Sequence, residues 1–112
     1  MLQSIKEFPG VITPSLICLG ILRYQQERYK AAFNYLSFGI KLDNIGNRKI
    51  DIIDLIYLNF AKYRLGDTSK IAVLIELAPE LNDYKQNKTS SYWYAKEELK
   101  KIINPLQDHV TG

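Results

Sequence analysis

Apolar residues recur along the chain at the three- and four-residue spacing of an α-helix, and no stretch sustains the strict alternation of a half-buried strand. Leu2, Ile5 and Phe8 open the chain at helical spacing, as a short helix or a segment that orders on binding, and Pro9-Gly10 closes it. A first long helix is expected from Thr13, a good N-cap, with Pro14 at the first helical position, to about Gln26. Leu16, Leu19 and Leu22, together with Ile17, Ile21 and Tyr24, give it an apolar stripe wider than one contact needs. A second helix runs from Tyr29 to about Lys41, with the small residues Ala31, Ala32 and Gly39 allowing close approach to a neighbour. Residues Asp43 to Asn47 read as a polar turn.

A third helix, from about Ile50 to Leu65, is apolar over more than half its circumference, through Ile52, Leu55, Ile56, Leu58, Phe60 and Tyr63. Gly66-Asp67 breaks it, Thr68 or Ser69 can cap a fourth helix from Lys70 to Ala78, and Pro79 closes that one. Leu81 to Ser91 is polar and turn-rich. A last amphipathic helix from about Ser91 to Ile103 carries Tyr92, Ala95, Leu99 and Ile102 on one face, with Pro105 beyond its end and a frayed tail from Gln107. Val73-Leu74-Ile75 has strand propensity but sits in a helical pattern with Glu76. The fold class is therefore all-α.

The helices group into a repeat. Residues 13–46 and, more weakly, 52–85 each spell helix–turn–helix, and residues 90–104 supply a capping helix, so that residues 1–112 form a single helical-repeat domain. Two short helices cannot bury their own apolar faces; they stack on the next pair, and the stack leaves a groove.

The segment Leu19-Gly20, Tyr24, Gln26, then Tyr29, Ala32, Tyr35-Leu36 and Leu42-Asp43 resembles a tetratricopeptide repeat, whose period is about 34 residues. The second copy departs from that pattern. Asn59 stands where the family prefers Gly or Ala, Ile71 stands at the usual Ala position, and the spacing from Thr13 to Ile52 exceeds the family period. In the first copy Arg23 replaces an apolar residue. The helix ending Tyr63-Arg64-Leu65-Gly66, followed by a short helix, a turn-rich loop and a final helix, is similar to the small tetratricopeptide-like chaperones of type III secretion needle subunits. That resemblance implies a cytoplasmic chaperone whose partners are a needle subunit and a second small chaperone.

The first helix of each pair lines the concave face in tetratricopeptide folds. Carried over, the partner-binding positions are Ile17, Ile21 and Tyr24 in the first copy and Ile56, Phe60 and Tyr63 in the second. These are apolar or aromatic, as suits the apolar face of an amphipathic helix, and the Lys, Arg and Asn of a carboxylate-gripping groove are absent apart from Arg64 at the edge. The residues themselves leave two readings open: the stripe is a groove for a partner, or it is core covered by the N-terminal segment or the final helix. Phe60→Glu or Ile21→Glu separates them, by abolishing binding with helicity kept in the first case and by unfolding the protein in the second.

Composition trims the alternatives. A 46% hydrophobic, 24% charged chain is ordinary for a folded domain, and its aromatic richness serves interfaces as well as cores. The net charge of +3 is spread among interspersed acids and bases, densest at Arg23/Arg28/Lys30 and Lys96/Lys100/Lys101. This is a weak footprint for nucleic acid, and a nucleic-acid-contacting regulator ranks behind a self-associating scaffold as an alternative. A single cysteine, Cys18, permits no internal disulfide, which fits the cytosol, and it reads as a small buried hydrophobe. The apolar run Leu16–Leu22 is too short to span a bilayer, and no signal-peptide pattern is present. His109 is the lone histidine and lies in the tail, so neither a His-based triad nor a multi-His metal site is expected. Asp51 and Asp54 are expected to favour the positive end of the third helix, and Glu97-Glu98 with Lys100-Lys101 to form surface pairs. No phosphate loop, metal site, cofactor motif or catalytic constellation is read, and an enzyme is not expected.

Overall fold

The computed structural model describes residues 9–111, with side chains over residues 15–103; the expectation for Leu2, Ile5 and Phe8 lies outside them. The helices are α1 (Pro9–Gln25), α2 (Tyr29–Ile45), α3 (Ile52–Arg64), α4 (Lys70–Asn82) and α5 (Ser90–Thr111), and no strand occurs among the described residues. The fold is all-α: two helical hairpins, α1–α2 and α3–α4, followed by a long helix that folds back onto α4 and α3.

The first hairpin closes through glycine. A Cβ on Gly20 would lie 2.5 Å from Leu36 Cγ, and one on Gly39 would lie 2.9 Å from Ile17 Cγ1. The two helices approach at a distance only a hydrogen atom permits at these positions. Leu36, Ala32 and Ile56 are fully enclosed, and α3 packs against α2 as closely as against α4.

Successive helix ends are built alike. After α1, α2 and α3 a residue with positive φ is followed by one whose N–H reaches back to a carbonyl five residues earlier. These bonds are Arg28 to Arg23 at 2.9 Å, Arg48 to Asp43 at 2.9 Å and Asp67 to Lys62 at 3.1 Å. The positive-φ residues are Glu27 (63°), Asn47 (55°) and Gly66 (114°). This closure satisfies carbonyls that the helix end would otherwise orphan, and only the third occurrence uses the residue best suited to it.

Several boundaries differ from the sequence expectations. α1 begins at Pro9, so Pro9-Gly10 opens a helix rather than closing one, and Pro9 takes the first-turn role assigned to Pro14. α2 runs on to Ile45, because Asn47 rather than an earlier residue takes the left-handed turn. α4 runs through Pro79 to Asn82, and α5 through Pro105 to Thr111, so residues 107–111 are helical rather than frayed. Each proline removes one rung. The carbonyls deprived, those of Ile75 and Lys101, belong to solvent-exposed residues, where water can replace the bond. Fully buried Leu81 anchors the turn beyond Pro79. Neither Thr68 nor Ser69 caps α4 with its side chain; Asp67 does the local work, accepting from the Ser69 N–H at 3.2 Å and from its hydroxyl.

Candidate functional site

α1 and α3 pack against each other, and α5 packs against α3 and reaches α1 through Tyr94. The apolar face of α5 buries Tyr92, Ala95, Leu99 and Ile102, the residues the sequence placed there. An aromatic cluster joins the helices. Tyr24 of α1 stacks on Phe60 of α3 at 5.4 Å between ring centroids, and both Tyr24 and Tyr57 meet Tyr94 of α5 at 6.3 Å. Offset and edge-on pairs of this kind add to the burial of their surface.

A polar knot locks the cluster. The Tyr24 hydroxyl donates to Glu98 Oε2, Arg64 Nη2 donates to the same oxygen at 2.9 Å, and Arg64 Nε donates to the Tyr24 hydroxyl at 3.3 Å. Thus α1, α3 and α5 each contribute one member. Glu98 is 5% exposed, and its charge is met by a guanidinium and a phenol. Burial first, then the Glu98 hydrogen bond, push the Tyr24 hydroxyl far above its usual range, so it stays a donor. The Tyr57 hydroxyl donates to the Ser91 carbonyl at 2.8 Å, and buried Tyr92 stacks on Tyr84 at 5.6 Å, so both fix the first turn of α5.

The predicted partner-binding positions divide. Ile17, Ile21, Tyr24, Ile56 and Phe60 are buried within this chain, at no more than 9% exposure. Tyr63 is partly buried, with the Arg64 guanidinium 5.8 Å from its ring centre. Of that stripe, the Tyr24, Ile56 and Phe60 end is covered by the chain's own helices. Ile17 and Ile21 line an open cleft where α5 begins.

This cleft has a volume of about 330 Å³. Ile17, Ile21 and Ile53 form an apolar floor, and Cys18 stands on its α1 wall. Cys18 is exposed, not buried as its apolar neighbours suggested, and it lines the cleft. The mouth is charged. Asp43 pairs with Arg48 Nε at 2.9 Å, and Arg48 Nη2 also donates to the Leu42 carbonyl at 3.2 Å. Asp51 caps α3, accepting from the Ile53 N–H at 2.8 Å, and its other oxygen accepts from the Tyr84 hydroxyl at 3.1 Å. Asp54, one turn on, is held up at about 7, by burial first and then by the charges of Asp51 and Asp43. Asp51 and Asp54 do sit at the N-terminal end of α3, as cap and in the first turn, but they also form one wall of a cavity.

Some of this was readable. Glu98 falls three residues after Ala95 and four before Ile102, on the edge of the apolar face, yet charge alone suggested a surface pair. Glu97 makes that pair with Lys100, at 3.5 Å, and Glu98 does not. Nothing local indicated that Tyr84, Asp43 and Asp54 would meet. Among the described residues no group of His, Cys, Asp and Glu is arranged to hold a metal, and no helix is long and apolar enough to cross a membrane. No protein-family model matches the chain, and no curated protein or solved structure matches it significantly.

Proposed function

We propose that this protein is a cytoplasmic adaptor or chaperone that holds an amphipathic helix of a small protein partner, with chaperoning of a type III secretion needle subunit as its most specific form. The observation that carries the reading is the seating of α5. The paired helices α1 and α3 already take one amphipathic helix, and an apolar-floored cleft stays open just where that helix starts. A partner helix entering the cleft would extend the surface α5 occupies, in the helix-in-groove mode. Leu19 and Leu22, at 36% and 45% exposure, extend the apolar surface of α1 outside the cleft.

The test is co-purification of the tagged protein from its own host in mild salt, beside a Cys18→Phe variant that fills the cleft from an exposed position. A small helical protein recovered near one-to-one with the parent and lost with the variant, at unchanged helicity, is the expected result. A parent protein recovered alone as a stable monomer overturns it. Self-association is the second reading, favoured by the same exposed Leu19 and Leu22; concentration-dependent dimerisation lost in Leu22→Glu would establish that instead.

A further inference from the structure

The cleft pairs an apolar floor with a charged mouth. Its floor of Ile17, Ile21 and Ile53 is apolar, while its mouth gathers Asp43, Asp51 and Asp54 from two helices that converge there. Two of the carboxylates are committed: Asp43 to Arg48, and Asp51 to the α3 cap and the Tyr84 hydroxyl. The Asp54 carboxylate has no hydrogen bond or ion pair among the described residues, although Asp54 is partly buried. A half-buried carboxylate beside two others is destabilising, and among the described residues no cation is paired with it, the Arg48 guanidinium of the same cleft being held by Asp43. Favouring the α3 dipole does not account for this, because a fully solvated acid in the first turn would do as well.

We infer that the cleft receives a lysine or arginine side chain of the bound partner, its aliphatic stem on Ile17, Ile21 and Ile53 and its charged head at Asp54 and Asp51. This rests on the helix-holding reading above and adds the chemistry of the residue the partner presents. Long basic side chains suit such a site because the stem is apolar and only the tip is charged. The ligand is an organic cation rather than a metal ion, since the carboxylates do not converge as metal ligands do. Arg48, already held by Asp43 and the Leu42 carbonyl, forms the rim that keeps the charged head toward Asp54. Binding strengthens with pH as Asp54 ionises near 7, with Cys18, Asp43, Arg48, Asp51 and Tyr84 as the other ionisable groups lining the cleft among the described residues.

Hexylguanidinium is a minimal probe of this side chain, with 1-hexanol as its uncharged counterpart. Each is titrated into the full-length 15N-labelled protein at pH 8, and amide shifts are followed. The expected result is a set of shifts confined to residues 17–21, 51–54 and 84–91. Hexylguanidinium should bind at least about fivefold more tightly than hexanol, as a partly desolvated charge-assisted contact implies. Asp54→Asn should bring the two ligands to within about twofold, and lowering the pH to 5.5 should do much the same. If hexanol perturbs the same residues equally well, or Asp54→Asn leaves the preference intact, the cation inference falls while the cleft stands as a docking surface. If neither ligand perturbs the cleft, both this inference and the helix-holding reading fall.

Discussion

Glu98→Ala tests how α5 is held against α1 and α3. In the parent, the Glu98 carboxylate accepts from the Tyr24 hydroxyl and from Arg64, and the phenol it serves is 1% exposed. Removing the carboxylate leaves the Tyr24 O–H with no acceptor, at a cost of about 1–3 kcal/mol. The Arg64 side chain is one-third exposed and regains water, so its loss falls well short of the several kcal/mol of a fully buried broken pair. Together these give an expected destabilisation of about 2–4 kcal/mol, read as a fall in the urea midpoint at unchanged slope.

A double-mutant cycle sharpens the test. Tyr24→Phe alone should cost about 1 kcal/mol, the net value of one hydrogen bond. In the Glu98→Ala background the same change removes an orphaned donor and should be neutral or stabilising. Additive losses, or a Glu98→Ala protein within about 0.5 kcal/mol of the parent, would refute the claim that this knot seats α5.

Asp54 carries the opposite pH dependence to a paired acid. Its proton is held more tightly in the folded chain than in the unfolded one, so folding gains while it is neutral and loses that gain as pH rises from about 4 through 7. Asp54→Asn should be neutral at pH 4 and stabilising by about 1–2 kcal/mol at pH 8 in urea unfolding, well under the full linkage value because the carboxylate keeps some water and favours the α3 dipole. A destabilised variant at pH 8 would show that the charge is compensated. Gly20→Ala should destabilise by about 1–3 kcal/mol, since its methyl would meet Leu36, and Leu36→Ala should rescue part of that loss in the same thermal-melt series. Glu27→Gly should stabilise by about 0.5–1 kcal/mol in the same melts, by relieving the positive φ after α1. Phe60→Glu should unfold the protein, visible as lost helicity, because Phe60 is fully enclosed.

The local grammar of the fold is written in the chain. The three- and four-residue spacing marks each helix, Gly66 ends α3 where its φ of 114° requires it, and Gly20 and Gly39 permit the first hairpin. These depend on neighbours within a few residues, which the sequence displays directly. Prolines misled at the ends: Pro79 and Pro105 lie inside helices, because a lost rung facing water costs little when the residues beyond it are helical or, like Leu81, buried. Which apolar residues are core depends on how the helices come together. Tyr24 and Phe60 carry the same pattern as Ile17 and Ile21, but α5 crosses the first pair and starts beside the second, so one end of the stripe is closed and the other borders a cleft. Tertiary packing also turned Glu98 from a surface acid into the centre of a buried knot, and set Asp54 against Asp51 and Asp43. Burial and charge environment are sums over residues distant in sequence and adjacent in space, and helical periodicity reports only which side of a helix is apolar, not what comes to lie on it.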